Sequence, residues 1–318
     1  MNELENNHKI IEVKILIIGT GPAGQTAAIY ANGALADSQE CKKIITLAGP
    51  QPGGLLTTTT VVENFPGFHN ITGTELTEKL MNHASKHTEI RYETVYNITK
   101  EKIVYTDQNI YKAKAIIIAS GSSPKPLGNE YKFLNKGISY CAICDGFLYK
   151  NQIVAVIGGG NSAIEEALYL SNICTKVYLI HRRKEFRAFI SLQEKLKDHS
   201  NIELILEEEV IEFLGDDENN HLHGLQLKHR TLKLNACFIA IGYKPNSDFV
   251  KETVKLNEGY IEVNKDYSTS INGIYACGDV ISHDFIARYK QAVVSAGEGC
   301  VAGLKAVEYL QTENKSIL

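Results

Sequence analysis

Cys141 and Cys144 form a CxxC pair, and they are the residues of this chain best suited to redox chemistry. Two neighbouring thiols take up or release two electrons when one disulfide opens or closes. Asp145 follows at once, and a carboxyl group in that position can move a proton during disulfide exchange. A structural zinc ion normally takes four ligands from two such pairs, and the sequence holds no second CxxC. The spacing therefore favours a redox-active dithiol over a zinc site.

A basic segment further along the chain could bind a phosphate. His181 ends an apolar run typical of a buried strand, and the guanidinium groups of Arg182, Arg183 and Arg187 follow it. Guanidinium groups bind phosphate oxygens in pairs, whereas an NAD site usually has an acidic residue at this strand end. We therefore predict that the segment binds the 2′-phosphate of NADP.

Two glycine-rich turns stand where such a cofactor would be held. Gly19-Thr-Gly-Pro-Ala-Gly24 lies between a predicted strand over 14–18 and a predicted helix over 25–31, with another strand over 43–47. This order predicts a βαβ unit whose glycines admit a pyrophosphate at the helix N-terminus. The usual ribose-binding acid is absent, since Leu47-Ala-Gly-Pro50 ends the second strand.

The second turn, Gly158-Gly-Gly-Asn-Ser-Ala163, repeats the pattern with strands over 152–157 and 176–180 and a helix over 162–171. The CxxC pair lies between the two turns. A nicotinamide gives up a hydride, and a flavin can accept the electrons and pass them to sulfur. The order of the motifs therefore suggests a path from nicotinamide through flavin and dithiol to an external disulfide.

The remaining elements indicate how the two units are arranged along the chain. Strands are expected over 115–119, 238–242 and 274–279, with a long helix over 291–310. Glycine and proline indicate a linker over 120–126 and a turn over 243–246. Because the last strand and helix have no place in the second unit, we predict an α/β fold with two Rossmann-like three-layer domains. The first domain is discontinuous, over 1–122 and 249–318, and the second, over 123–248, is inserted into it.

The composition is that of an ordinary globular protein, with 318 residues, 44% hydrophobic residues and a net charge of −4. The charge gives no reason to expect binding to nucleic acid or membrane. The polar start lacks the features of a secretory signal, and no apolar run reaches the roughly 18 residues of a membrane span, so we expect a cytoplasmic location. Four of the seven cysteines are expected to be small buried residues, namely Cys174, Cys237, Cys277 and Cys300.

These motifs, in this order and spacing, resemble the low-molecular-weight, bacterial-type thioredoxin reductases of class II of the pyridine nucleotide-disulfide oxidoreductases. The resemblance covers nearly the whole chain. It is carried by the two glycine-rich turns and by Leu56-Thr-Thr-Thr-Thr60, Glu63-Asn-Phe-Pro-Gly67, Cys141-Ala-Ile-Cys-Asp-Gly-Phe147, His181-Arg-Arg-Lys-Glu-Phe-Arg-Ala188, Gly278-Asp-Val280 and Gln291-Ala-Val-Val-Ser-Ala-Gly297.

The resemblance implies an NADPH-dependent, FAD-containing thioredoxin-disulfide reductase that forms a homodimer. Hydride would pass from NADPH to FAD, and electrons then to the disulfide and to thioredoxin. The discontinuous domain would bind FAD and the inserted domain NADPH. By this resemblance, Cys144 lies beside the flavin, Cys141 attacks the disulfide of thioredoxin, and Asp145 is the acid.

The resemblance and the two turns together predict the cofactor-binding residues. Those expected along FAD are Gly19, Gly21, Pro22, Ala23, Gly24, Gly54, Leu55, Asn64, Val95, Ala119, Gly121, Gly278, Asp279, Val280, Gln291 and Ala292. Those expected along NADPH are Gly158, Gly160, Asn161, Ser162, His181, Arg182, Arg183, Arg187, Ile241 and Gly242.

Four features depart from the family pattern. Leu55 stands where glutamine is common, Asn161 where aspartate is usual, and Ser120 where threonine is usual, and the segment over 32–43 is slightly longer and more polar. The main alternative keeps the chemistry but changes the partner to a glutaredoxin-like protein or a peroxidase module. A flavin oxidase or ferredoxin-type reductase that bypasses sulfur is disfavoured by the CxxC pair. A redox-inert nucleotide-sensing module is disfavoured by the two turns and the dithiol together.

Overall fold

The computed structural model describes residues 10–35, 44–59, 61–216, 221–282 and 290–315. The chain divides into two compact units. The first unit comprises residues 1–58, 65–123 and 244–318, and the second comprises 59–64 and 124–243. One unit is thus discontinuous in sequence, and most of the other is inserted into it.

Among the described residues, the first unit contains three α-helices and ten strands. The helices are α1 (Pro22–Ala34), α2 (Gly73–Ala84) and the final helix, α6 (Ala292–Lys315). Its strands before the insertion are β1 (Ile10–Ile18), β2 (Ile44–Leu47), β3 (Glu89–Arg91), β4 (Val95–Ile98), β5 (Ile103–Thr106) and β6 (Ile110–Ile118). Those after it are β17 (Leu256–Asn257), β18 (Tyr260–Glu262), β19 (Ile274–Ala276) and β20 (Ile281–Ser282).

The first unit is built around a mixed sheet with the order β3-β2-β1-β6-β5-β4, and β19 also pairs with β6. The pairs around β1 are parallel, whereas β4, β5 and β6 form an antiparallel meander. Residues of β1 alternate between two cores: Ile15 and Ile17 pack against α1 and α6, while Leu16 and Ile18 face residues of the meander. This alternation follows from the two-residue period of a strand and produces three layers.

Two glycines let α6 lie directly on α1. A Cβ added at Gly299 would stand 2.1 Å from the carbonyl oxygen of Ala23, and one at Gly303 would stand 2.6 Å from that of Ala27. The four-residue spacing places both glycines on one face of α6. Any larger residue would push the helices apart, so this packing fixes the N-terminal end of α1, where the first glycine-rich turn lies.

The second unit has its own parallel sheet with the order β11-β10-β9-β15-β8. Its helices are α3 (Ala142–Asp145), α4 (Asn161–Ser171) and α5 (Ile190–Lys195). Its strands are β8 (Ile138–Ser139), β9 (Ile153–Ile157), β10 (Lys176–His181), β11 (Ile202–Leu206), β12 (Val210–Gly215), β13 (Leu222–Leu227), β14 (Thr231–Lys233) and β15 (Ala236–Ile239).

The second sheet is also covered on both faces. Val154 and Val156 pack against Ala163 and Ala167 of α4, while Ala155 belongs to a core shared with the antiparallel meander β12-β13-β14. Each unit therefore has helix, parallel sheet and antiparallel strands as its three layers. This confirms the predicted two Rossmann-like three-layer domains, although no sequence pattern had indicated that strands form the third layer.

The segments that join the units are short strands. β7 (Ser122–Pro124) and β16 (Tyr243–Pro245) pair with each other in a two-stranded sheet. The sequence predicted a linker over 120–126 and a simple turn over 243–246, and the second of these predictions was wrong. Proline is compatible with such edge pairing because it occupies the end of each short strand.

Candidate redox and cofactor sites

The dithiol, Cys141 and Cys144, lies at the start of the short helix α3. The two cysteines are joined in a disulfide, with their Cα atoms 5.3 Å apart. Cys141 caps the helix, and its Sγ accepts the backbone N–H of Cys144 at 3.2 Å. Both cysteines are half-buried, and Ile143 between them is exposed. One turn of helix thus places the pair at the surface of the second unit.

Asp145 is buried behind the disulfide and is tied to it through one hydroxyl. Ser139 donates from Oγ to Asp145 Oδ2 at 2.5 Å, and the same Oγ accepts the N–H of Cys141 at 3.0 Å. Burial raises the pKa of Asp145, and the hydrogen bond from Ser139 opposes that rise. A carboxyl with a raised pKa holds a proton more readily, which suits an acid in thiol chemistry. Ser139 was not identified from the sequence.

A second network supports the residue before the dithiol. Glu130 is fully buried and accepts the N–H groups of Leu127 and Gly128 as well as the hydroxyl of Tyr140 at 2.9 Å. The carbonyl oxygen of Tyr140 in turn accepts the hydroxyl of Tyr243 at 2.9 Å. These bonds fix the backbone on the N-terminal side of Cys141 from two directions.

The first glycine-rich turn has the shape that a pyrophosphate requires. A Cβ at Gly19 would stand 2.2 Å from the Ala119 carbonyl oxygen, and one at Gly24 would stand 2.0 Å from the Gly19 carbonyl oxygen, so neither position admits a side chain. Gly21, the N-cap of α1, faces open space. No side chain caps this helix and no acid lies in its first turn. These features fit a bound phosphate, as predicted for Gly19 to Gly24.

The segment with Gly54 and Leu55 lies beside this turn. A 3-10 helix spans Gly54–Thr58, and a Cβ at Gly54 would stand 3.3 Å from the Cα of Gly21. Leu55 is half-buried there and offers only its backbone groups to a polar ligand. The predicted residues Gly21, Gly54 and Leu55 are therefore brought together.

Asp279 is held at the end of β19 by residues that the sequence did not reveal. Gly278 has a positive φ of 76° and donates its N–H to Glu298 of α6 at 2.7 Å. Ser295 and Ser122 donate to the two carboxylate oxygens of Asp279 at 3.4 and 3.5 Å. Burial raises the pKa of Asp279, while the charge of Lys290 opposes the rise. These longer bonds leave Asp279 able to accept a ligand hydroxyl.

The other residues predicted along FAD are distributed over both units. Six of them lie in the first unit: Val95, Ala119, Gly121, Val280, Gln291 and Ala292. Val95 begins β4, Ala119 follows β6, and Gly121 has a positive φ of 67°. Val280 is fully buried, and Gln291 directly precedes Ala292, the first residue of α6. Pro22 and Ala23 open α1. Asn64 belongs to the second unit.

The second glycine-rich turn is tied to the arginine-bearing loop. A Cβ at Gly158 would stand 2.4 Å from the Ala240 carbonyl oxygen, whereas Gly160, the N-cap of α4, faces open space. The carbonyl oxygen of Gly159 accepts the N–H of Arg187 at 2.8 Å. Asn161, at the helix start beside exposed Ser162, accepts the N–H of Phe189 at 2.9 Å through its side chain. Asn161 therefore positions the loop, a role that aspartate would share.

The arginines are presented to solvent at the end of β10. Arg182, Arg183 and Arg187 are exposed, and within the described parts of the chain none has an ion-pair partner. His181 is buried, with its ring stacked on Phe186 and packed against Gly159. Burial and the three nearby guanidinium groups lower the pKa of His181. The cluster is thus an uncompensated positive site beside the turn, which fits the predicted 2′-phosphate.

Ile241 and Gly242 complete the predicted NADPH set and follow β15 in the same unit. Gly242 has a positive φ of 105°, which favours glycine.

The sequence also contains one zinc-like spacing, His83-x-x-x-His87. His83 lies on α2 and His87 in the turn after it; their rings make an edge contact, and His87 is hydrogen-bonded through Nδ1 to Asn32 at 2.8 Å. Among the described residues, no group of three or more His, Cys, Asp or Glu side chains could hold a metal ion. None of the helices described is both long and apolar enough to cross a membrane.

Comparison with known proteins places these sites in a family context. The model of the pyridine nucleotide-disulphide oxidoreductase family matches residues 13–299. The chain is 42% identical to a thioredoxin reductase of Vibrio cholerae, over 95% of this chain and 98% of the relative. It is also 42% identical to a glucosaminate ammonia-lyase of Pseudomonas fluorescens, over 93% of this chain and 95% of that relative. A crystal structure of thioredoxin reductase from Streptococcus pyogenes superposes with a TM-score of 0.83 at 33% identity, covering 95% of this chain and 99% of the other.

Proposed function

The chain belongs to the pyridine nucleotide-disulphide oxidoreductase family, and we propose that it is a thioredoxin-disulfide reductase that uses NADPH and FAD. The observation that carries the proposal is the Cys141–Cys144 disulfide backed by the buried carboxyl of Asp145. Relatives of equal identity carry the names of a reductase and of a lyase. An ammonia-lyase reaction needs no redox-active dithiol, so the Cys141–Cys144 pair supports the reductase activity.

The two glycine-rich turns support the choice of cofactors. The turn at Gly19 to Gly24 would hold the pyrophosphate of FAD, with Asp279 accepting a hydroxyl of the same molecule. Gly158 and Gly160 would hold that of NADPH, and the free arginines its 2′-phosphate. When bound, NADPH supplies a hydride and FAD transfers two electrons to the disulfide.

The protein's own groups then carry out the exchange with thioredoxin. The Cys141 thiolate attacks one sulfur of the thioredoxin disulfide, forming a mixed disulfide and releasing a thioredoxin thiolate. Asp145 supplies a proton to the departing sulfur. Cys144 then attacks Cys141, which restores the internal disulfide and releases reduced thioredoxin. The division of roles between the two cysteines rests on the family resemblance.

Reduction of the purified enzyme tests this proposal directly. We expect anaerobic NADPH to bleach the flavin and to free the two thiols, and oxidised thioredoxin to restore both. Cys141→Ser should still consume one equivalent of NADPH but should not turn over with thioredoxin. Cys300→Ser on α6 is the matched control and should retain turnover. Thioredoxin reduction by Cys141→Ser would contradict the dithiol mechanism. Turnover with a glutaredoxin-like protein or peroxidase module instead of thioredoxin would support the alternative partner.

The FAD site is tested by two alanine substitutions in one helix. Cβ atoms added at Gly21 and Gly33 would each meet nothing within 4 Å in the described protein, so both variants should fold. Only Gly21 lies at the N-terminus of α1, where a Cβ would enter the phosphate position. We expect Gly21→Ala to lose most of its flavin absorbance and Gly33→Ala to retain it. Equal flavin content would contradict the assignment.

A homodimer and a cytoplasmic location complete the proposal. The family resemblance supports the dimer, and the unpaired, buried thiols of Cys174, Cys237 and Cys277 fit a reducing compartment. Light scattering of the purified protein should give twice the mass of 35.2 kDa.

A further inference from the structure

One hydroxyl in the first glycine-rich turn connects two segments that are predicted to lie along FAD. Thr20 stands between the first two glycines of the turn, and it is almost fully buried. Its Oγ1 accepts the backbone N–H of Gly53 at 3.0 Å. Gly53 directly precedes the 3-10 helix over Gly54–Thr58. The glycine pattern alone gives Thr20 no role, because the glycines and not the residues between them shape such a turn.

The backbone after Gly53 lies against the open position of the same turn. A Cβ at Gly54 would stand 3.3 Å from the Cα of Gly21, the residue that faces open space at the N-terminus of α1. Gly53 has a positive φ of 85°, and a Cβ there would stand 2.1 Å from Cγ2 of Thr77 on α2. The segment therefore lies between the turn and α2, and its position decides how much space the turn leaves for a ligand.

The backbone of Thr20 is itself held by a second hydrogen bond. Gln25, almost fully buried in α1, donates its side-chain amide N–H to the carbonyl oxygen of Thr20. Thr20 thus accepts one hydrogen bond at its carbonyl and one at its hydroxyl, and both donors belong to the first unit. These two bonds connect α1, the turn and the 3-10 segment through groups of the protein alone.

The Thr20 hydroxyl satisfies a donor that has no place in regular secondary structure. Gly53 is buried and lies in a turn, outside the helices and strands described. A buried N–H that loses its partner destabilises the conformation that buries it. Without the hydroxyl, the segment should therefore favour conformations in which the Gly53 N–H meets water. A ligand that requires the closed segment would then bind only the fraction of molecules that remain closed.

We propose that Thr20 is a positioning residue for FAD: its hydroxyl holds the backbone of Gly53 and Gly54 against the glycine-rich turn before the cofactor binds. The inference rests on the proposed function, because it concerns the FAD site of that reductase. It predicts that a hydroxyl at position 20, and not only a side chain of this shape, is what the site requires. Serine should therefore replace Thr20, whereas valine, which has nearly the same shape and no hydroxyl, should not.

Titration of the full-length apoprotein with FAD, followed by flavin fluorescence, measures this role. We expect Thr20→Val to raise the Kd for FAD about tenfold or more, and Thr20→Ser to stay within about threefold of the wild type. The matched control is Thr77→Val. The Thr77 hydroxyl is buried and has no hydrogen-bond partner among the described residues, although its methyl group lies beside Gly53. Its loss should leave the Kd for FAD unchanged.

The NADPH site separates a local effect from a general loss of structure. This site lies in the second unit, so KM for NADPH in the FAD-saturated enzymes should be the same in the wild type and the three variants. An equal Kd for FAD in the wild type and Thr20→Val would overturn the inference. So would a rise that Thr20→Ser shares, or one that Thr77→Val shares.

Hydrogen exchange of the Gly53 amide gives a second reading, which does not require the valine variant to fold. In the wild type we expect this amide to exchange slowly in both the apoprotein and the FAD-bound enzyme, because Thr20 protects it in both. Fast exchange in the apoprotein and slow exchange in the FAD-bound enzyme would show that the cofactor closes the segment, and would overturn the inference. Wild-type protein that binds no FAD would instead overturn the proposed function.

Discussion

The buried carboxyl of Glu166 should make the stability of the second unit fall as pH rises. In the unfolded chain its pKa is 4.5, and burial in the fold raises it to about 8. Between these values the folded protein binds a proton that the unfolded protein has lost. The slope of the unfolding free energy against pH is therefore negative. The stability that the protonated Glu166 contributes is complete below the unfolded pKa of 4.5 and is lost as pH rises towards 8.

The size of this effect follows from the two pKa values. One pKa unit corresponds to about 1.36 kcal/mol, so the ionisation cost is about 1.4 kcal/mol at pH 5.5 and about 4.6 kcal/mol at pH 8.5. Glu166→Gln has no ionisable group and avoids this cost. Relative to the wild type, the variant should therefore gain about 3 kcal/mol between the two pH values, which corresponds to about 6 to 13 °C in Tm.

Thermal unfolding of oxidised wild type, Glu166→Gln and Glu194→Gln at pH 5.5 and 8.5 tests this reasoning. Glu194 is exposed, so its variant controls for the loss of one negative charge in the same unit. The control should follow the wild type at both pH values. A Tm difference between wild type and Glu166→Gln that does not change with pH would show that Glu166 is ionised in the fold and would refute the argument.

Three further predictions concern the catalytic and cofactor sites. Asp145→Asn should lower turnover with thioredoxin about 10²-fold or more, because it removes an acid, and should leave anaerobic flavin reduction by NADPH intact, because it removes no electron carrier. Steady-state rates measure the turnover and stopped-flow rates measure the flavin reduction. Equal losses in both rates would contradict the prediction. Replacing both Arg182 and Arg183 by Gln should raise KM for NADPH at least about tenfold and leave KM for NADH nearly unchanged, because only NADPH carries the 2′-phosphate. An equal rise in KM for both cofactors would show that the arginines do not bind the 2′-phosphate. Burial raises the pKa of the Cys174 thiol to about 11. In the native protein this thiol should therefore resist iodoacetamide at pH 8, whereas the reduced dithiol should react. Rapid labelling of Cys174 would contradict its buried position.

Local sequence patterns predicted the central elements of both units because those elements obey short-range rules. The glycine turns, their preceding apolar strands and their following helices were all found; β1 is longer than predicted at its N-terminal end, and α1 at both ends. The three-stranded meander β12-β13-β14 was missed. Its strands alternate irregularly and contain a register shift, so no clean two-residue period is visible in the sequence.

The supporting residues of the sites were missed for a different reason. Ser139 and Glu298 are ordinary polar residues in sequence, and each accepts a backbone N–H from another segment of the chain. No spacing rule connects Glu298 with Gly278, 20 positions earlier. For the buried carboxyl of Glu166 the sequence offered a weak signal: a second glutamate beside Glu165 on a helix whose neighbours are apolar indicates that one of the two must turn inward.

The consequence for the dithiol is that its chemistry and its support come from different parts of the second unit. The CxxC motif provides two sulfurs and an adjacent acid within five residues, which is why the sequence shows it clearly. Holding those sulfurs after the disulfide opens requires groups outside the motif, because a four-residue helix cannot satisfy its own first N–H groups. Variants at Ser139 should therefore alter the thiol–disulfide equilibrium without removing either sulfur, whereas replacement of Cys141 or Cys144 should abolish it.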